Sequence, residues 1–123
     1  MQLSEQWVLV TGGARGLGQA ITRALAREGA GVVINYHRSA AAAQALAEEL
    51  GPRAIALQAD VTDAAAVQRL FAVAQERTGG HISAVVNNAL AQFSFDGDAR
   101  PKLGDIAWER FSQQIEGAVK GAL

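Results

Sequence analysis

Between Val10 and Gln19 the chain reads Thr11-Gly12-Gly13-Ala14-Arg15-Gly16-Leu17-Gly18. A run so poor in side chains lets main-chain N–H groups close on an anion, and Arg15 adds a full positive charge. Three glycine-loop patterns compete for it. A Walker A loop needs Gly-x-x-x-x-Gly-Lys-Ser/Thr, because its lysine neutralises phosphate charge. Gly13 to Gly18 has that spacing, but Gln19-Ala20 follows, so the pattern fails. The dinucleotide pattern Gly-x-Gly-x-x-Gly/Ala also fits poorly. Starting from Gly16 and Gly18, it asks for a small residue at position 21, which is Ile21. The spacing that fits is Thr-Gly-x-x-x-Gly-x-Gly.

Three further groups have side chains suited to binding: Tyr36-His37-Arg38, Asp60-Val61 and Asn87-Asn88-Ala89. Singly they say little. Asp60 alone reads as a helix-capping carboxylate, and paired asparagines more often mark a turn. The chain has no cysteine, which excludes disulfides, thiolate catalysis and cysteine-based zinc sites. Its two imidazoles, His37 and His81, are far apart in sequence, so no metal site is expected. Tyr36 is the single tyrosine, and Ala40 stands four residues after it.

The elements that must position these groups follow from the apolar spacing. Trp7–Val10 is a short β-branched run that suits a buried strand. From Gly16 to Glu28 the spacing turns helical, with Leu17, Ile21 and Leu25 on one stripe and Gly29 as a stop. Val32–Ile34 predicts a second strand. Ala40–Leu50 predicts an alanine-rich helix. Ala54–Leu57 predicts a third strand, and Thr62 or Asp63 can cap the helix that carries Val67, Leu70, Phe71 and Ala74. Gly79-Gly80 ends that helix, and Ile82–Val86 predicts a fourth strand. Phe93–Gly104 reads as a loop. Asp105 then caps a last helix with Trp108, Phe111, Ile115 and Val119 on one side. Strict alternation of strand and helix, with continuously apolar strands, implies an α/β fold. Its sheet is parallel and covered by helices on both faces. The four binding groups then all fall at C-terminal strand ends, where open α/β sheets take ligands.

Composition sets the outer limits. With 123 residues, half of them hydrophobic, and a formal net charge of −1, the chain suits one globular domain and not a disordered segment. A near-neutral balance argues against a nucleic-acid partner. No apolar run approaches the roughly 20 residues of a membrane helix, and the N-terminus lacks the pattern of a signal peptide. The expectation is a cytoplasmic protein with no membrane or nucleic-acid partner.

On the set Thr11-Gly12-x-x-x-Gly16-x-Gly18, Asp60-Val61 and Asn87-Asn88-Ala89, the sequence resembles the short-chain dehydrogenase/reductase family from Trp7 through the last helix. Its Thr-Gly-Gly-Ala-Arg-Gly opening and its Asn35-Tyr36 strand end are most similar to the 3-oxoacyl-carrier-protein reductase branch. The resemblance implies a Rossmann-type sheet in the order 3-2-1-4, cut after the helix that follows the fourth strand. Residues 1–123 would then be the dinucleotide-binding part of a single-domain reductase whose catalytic C-terminal half is absent. It implies cofactor contacts from Gly12, Gly13, Ala14, Arg15, Gly16, Leu17, Gly18, His37, Arg38, Asp60, Val61, Asn87, Asn88 and Ala89. It also implies hydride transfer with a small carbonyl or alcohol substrate, in a homo-oligomer that is tetrameric in many relatives.

Two features separate this chain from the pattern. The family's Tyr-x-x-x-Lys pair is not in the 123 residues, so the chain by itself is expected to be inactive. Where the family has an asparagine in the last helix, alignment on Trp108 or Gly117 places Ile115 or Gln114, of which Gln114 can still hydrogen-bond, and Leu90 replaces the glycine after Asn-Asn-Ala. The cofactor preference comes from charge. NAD-dependent proteins place a carboxylate about 20 residues past the glycine motif. Here that place is Tyr36, no Asp or Glu occurs between Glu28 and Glu48, and Arg38 follows. Arginine binds phosphate bidentately, so NADP(H) is expected over NAD(H).

Overall fold

The computed structural model describes residues 2–80 and 82–89. A short 3-10 turn (Leu3–Glu5) precedes β1 (Trp7–Val10), α1 (Gly16–Arg27), β2 (Gly31–Tyr36), α2 (Ala40–Leu50), β3 (Ala54–Gln58), α3 (Ala64–Thr78) and β4 (Ile82–Val86). The four strands form one parallel sheet in the order β3-β2-β1-β4, the order that the family resemblance implies.

Side chains alternate across the sheet and divide the core in two. Val8, Val10, Val32 and Ile34 pack with Ala43 and Leu46 of α2 and with Ile21 and Leu25 of α1. Leu9 and Val33 face the other way, onto Ala66, Leu70 and Ala74 of α3. Strands buried on both faces need apolar residues at every position, which is why β1 and most of β2 read as unbroken hydrophobic runs. At the N-terminal end of the sheet the Arg53 guanidinium lies 5.5 Å from the Trp7 ring centroid. It donates to the carbonyls of Ser4 at 2.9 Å and Gly29 at 2.8 Å, fastening the entry to β1.

The element boundaries show where polar residues mislead. β2 continues two residues past the expected Ile34, because Asn35 enters the ladder with its side chain buried and hydrogen-bonded. Asp63, not Thr62, caps α3, accepting from Ala65 N and Ala66 N. One expectation is corrected. Leu17 does not share the buried stripe of α1 and is 71% exposed. The helix seats Gly18 and Thr22 against the sheet, and Leu17 lies about 100° round the axis from Gly18. The expected loop Phe93–Gly104 and the helix carrying Trp108, Phe111, Gln114, Ile115 and Val119 lie outside the described residues, as does Leu90. No helix among the described residues is long and apolar enough to cross a membrane.

Candidate functional site

The chain runs from β1 to β2 to β3 in one direction, then crosses back to place β4 on the far side of β1. The reversal opens a crevice beyond the carboxyl ends of β1 and β4, the place where open α/β sheets bind ligands. Thr11 and Asn87 are the first residues past those two ends.

Thr11 joins the two strand ends. Its N–H donates to Val86 O at 3.0 Å. Its hydroxyl donates to the same carbonyl at 3.3 Å and accepts from Asn88 N at 2.9 Å and Ala89 N at 3.0 Å. One donor and two lone pairs are all used, which a valine of the same shape would not provide. The Asn88 side chain then donates to Gly12 O at 3.1 Å, pinning the start of the glycine loop. Loop and β4 end are therefore one hydrogen-bonded unit.

The loop runs back into α1 at Gly16 with φ at +54°, and a Cβ built there meets nothing within 4 Å. Gly18, in the first turn of the helix, is the opposite case. A Cβ on it would strike the Gly12 carbonyl and lie 2.5 Å from Asn88 Nδ2. The helix can approach the loop only because this side chain is missing. Arg15, at the N-cap, provides no side-chain acceptor. The first-turn N–H groups of α1 therefore lack an intrahelical partner and carry the positive end of the helix dipole. Ala14 is buried in the core, whereas Arg15, Gly16 and Leu17 are exposed. The result is a bare, outward-facing main-chain arc suited to a diphosphate.

On the other side of β1, the ends of β2 and β3 bring His37, Arg38 and Asp60 together. His37 Nε2 lies 3.9 Å from Asp60 Oδ2, with both side chains partly exposed. Asp60 Oδ1 accepts from Thr62 Oγ1 at 2.7 Å and Thr62 N at 2.9 Å. Those two bonds, the side-chain one first, hold the Asp60 carboxyl below its ordinary range, and the charges of His37 and Arg38 act in the same direction. Val61 is half-buried beside it, and Asn87 is exposed at the β4 end. No cluster of His, Cys, Asp or Glu that could hold a metal occurs among the described residues.

Sequence reasoning gave no role to two residues that shape this site. Asn35 is 1% exposed, and its Oδ1 accepts from Gly12 N at 3.3 Å. Thr22 is fully buried in α1, and its hydroxyl donates to Gly13 O at 3.1 Å. Asn35 directly follows the apolar run Val32–Ile34, and that mismatch was the available signal; Thr22, between Ile21 and Arg23, gave none.

Known proteins resemble the chain in sequence and in fold. The hydroxynaphthalene reductase-like protein Arp2 of Metarhizium robertsii is 42% identical over 90 residues, 71% of this chain and 33% of that protein. The FolM alternative dihydrofolate reductase 1 of Brucella canis, solved with NADP, matches at a TM-score of 0.77 and 32% identity over 98% of this chain and 47% of that one. The 3-ketoacyl-(acyl-carrier-protein) reductase of Brucella melitensis, solved with NADH, matches at 0.79 and 26% identity with the same coverage. The chain thus spans about a third of the curated relative and about half of each solved structure. The sequence model for short chain dehydrogenases matches residues 6–121, nearly end to end. By its glycine loop, its 3-2-1-4 sheet and this match, the chain belongs to the short chain dehydrogenase family.

Proposed function

We propose that these residues form the dinucleotide-binding part of an NADP(H)-dependent oxidoreductase that reduces a carbonyl or oxidises the corresponding alcohol. The observation that carries this reading is the cradle itself: an open main-chain arc at Gly16, backed by a Gly18 whose missing side chain lets α1 meet the loop. A diphosphate fits there, held by first-turn N–H groups and the Arg15 charge. Two relatives in complex with nicotinamide dinucleotides support it. When bound, the nicotinamide supplies the hydride chemistry. The residues of this chain bind and orient. Gly12 to Gly18 face the diphosphate, Asp60 and Val61 flank the adenine, and Asn87, Asn88 and Ala89 line the wall beyond β4. The 3-oxoacyl thioesters are the first substrate class to test, and a homo-oligomer is the expected assembly.

The NADP(H) preference rests on Arg38 and on the lack of a carboxylate between Glu28 and Glu48. A charge-assisted hydrogen bond contributes roughly 1.5–3 kcal/mol. Arg38→Ala should therefore weaken NADPH relative to NADH by about ten- to a hundredfold. Paired fluorescence titrations of the full-length protein measure that ratio. An unchanged ratio removes Arg38 from the assignment, and failure to saturate with either dinucleotide removes the function.

A further inference from the structure

Asn35 is a polar side chain of β2, 1% exposed and paired in register with Leu57 of β3. A buried amide is costly unless it is hydrogen-bonded, and this one is bonded at both ends. Its Oδ1 accepts from Gly12 N at 3.3 Å, and its main-chain carbonyl accepts from Gly13 N at 3.0 Å. One residue thus holds the first two N–H groups of the glycine loop. Its Nδ2 points the other way and lies 3.2 Å from Ala59 O and 3.4 Å from Leu57 O, at the end of β3.

These bonds reach beyond what the sheet ladder already secures. The β2–β3 register is set by pairs from Val32 with Ala54 to Tyr36 with Gln58. Ala59 N donates to Tyr36 O at 2.9 Å and closes that ladder. The amide adds a tie between two segments outside any strand pairing, the loop at Gly12 and the residue just before Asp60.

We infer that Asn35 is a positioning residue that fixes the glycine loop against the β3 end, so that diphosphate and adenosine are gripped together. The inference rests on the cofactor reading above and adds a coupling between its two halves. Thr11 and Asn88 tie the loop to the β4 end, and Thr22 ties it to α1. The amide sets its offset from Asp60, and a dinucleotide of fixed length needs that offset correct. A ligand that reaches only the β2 and β3 ends does not.

The test compares two probes in the full-length protein. NADPH spans both halves, whereas adenosine 2′-monophosphate has the adenine and the 2′-phosphate but no diphosphate to meet the loop. Asn35→Ala should weaken NADPH about tenfold or more and adenosine 2′-monophosphate by less than about twofold. The ratio of the two dissociation constants does not depend on the folded fraction, so a loss of stability alone leaves it constant. If Asn35→Ala does not fold, the near-isosteric Asn35→Asp serves the same comparison. It keeps an acceptor for Gly12 N and loses the donors to Leu57 O and Ala59 O. An equal loss for both probes, or no loss for either, overturns the inference while the cofactor reading stands. Wild-type protein that does not bind NADPH overturns both.

Discussion

A methyl group at Gly18 would meet the Gly12 carbonyl, and α1 cannot retreat without lifting Thr22 from the sheet. Gly18→Ala should therefore lower stability by about 1–3 kcal/mol, the usual cost of forcing atoms into a filled site. It should also displace the loop and weaken NADPH. At Gly16 the space is open and only the φ of +54° resists a side chain. Gly16→Ala should cost about 1–2 kcal/mol of backbone strain and place its methyl group where the diphosphate would lie. Denaturant melts with NADPH titrations separate the two. The first variant should lose more stability, and the second more affinity than its stability predicts. Asp60 gives a pH test. Its folded carboxyl is held low, chiefly by Thr62. The stabilisation is thus complete above the ordinary carboxylate value of about 3.9 and is lost as pH falls through the lowered folded value. Thr62→Val should destabilise at neutral pH, and the two melting curves should converge as pH falls below the lowered folded value. The side chain is 41% exposed, so solvent screening keeps the difference below about 1 kcal/mol.

Helix α3 shows what spacing reveals and what it leaves open. Val67, Leu70 and Ala74 announced its buried face, and the structure seats Leu70 and Ala74 in the core at 3% and 0% exposure. Thr62 and Asp63 are both good caps, so residue type could not choose between them. The choice falls to Asp63 because Thr62 is already bonded to Asp60. Asp63→Ala should cost about 1 kcal/mol in a denaturant melt, with no change in NADPH affinity once corrected for folding. The order of strands and helices was legible because it depends on period and length alone. The limits of β2 were not, since only Val32–Ile34 carry the apolar signal and Asn35 is buried through its partners on Gly12 and Ala59. Leu17 failed for a related reason. A helical stripe drawn through large apolar residues overlooks a face packed through Gly18 and Thr22, where the smallest residue marks the closest contact. The loop residues of the candidate site were legible as a set because each sits at a strand end. The bonds that tie them together come from Thr11, Asn35 and Asn88, and no spacing rule reports such long-range partners.

At the scale of the described sheet, the reading we propose separates binding from turnover in space. The diphosphate arc lies past β1 and the adenine side past β2 and β3, so four strand ends contain every cofactor contact we propose. A carbonyl reductase also needs a proton donor beside the reacting carbon, with a pKa tuned near working pH. The one tyrosine, Tyr36, ends β2 and pairs with Gln58 of β3. Neighbouring strands are about 4.8 Å apart, and β2 is two strands from β4. Tyr36 is thus roughly 10 Å from the β4 end, on the β2–β3 side of the crevice. Residues 1–123 expressed alone should therefore bind NADPH saturably and leave it unoxidised across a panel of carbonyls that includes 3-oxoacyl thioesters. Among the described residues β4 is an edge strand, with Val85 41% exposed beside Leu9. Unpaired apolar strands self-associate. Val85→Lys should raise the soluble yield of that chain without changing its NADPH affinity. Carbonyl-dependent oxidation of NADPH by the purified chain would place a proton donor within these residues and refute the separation.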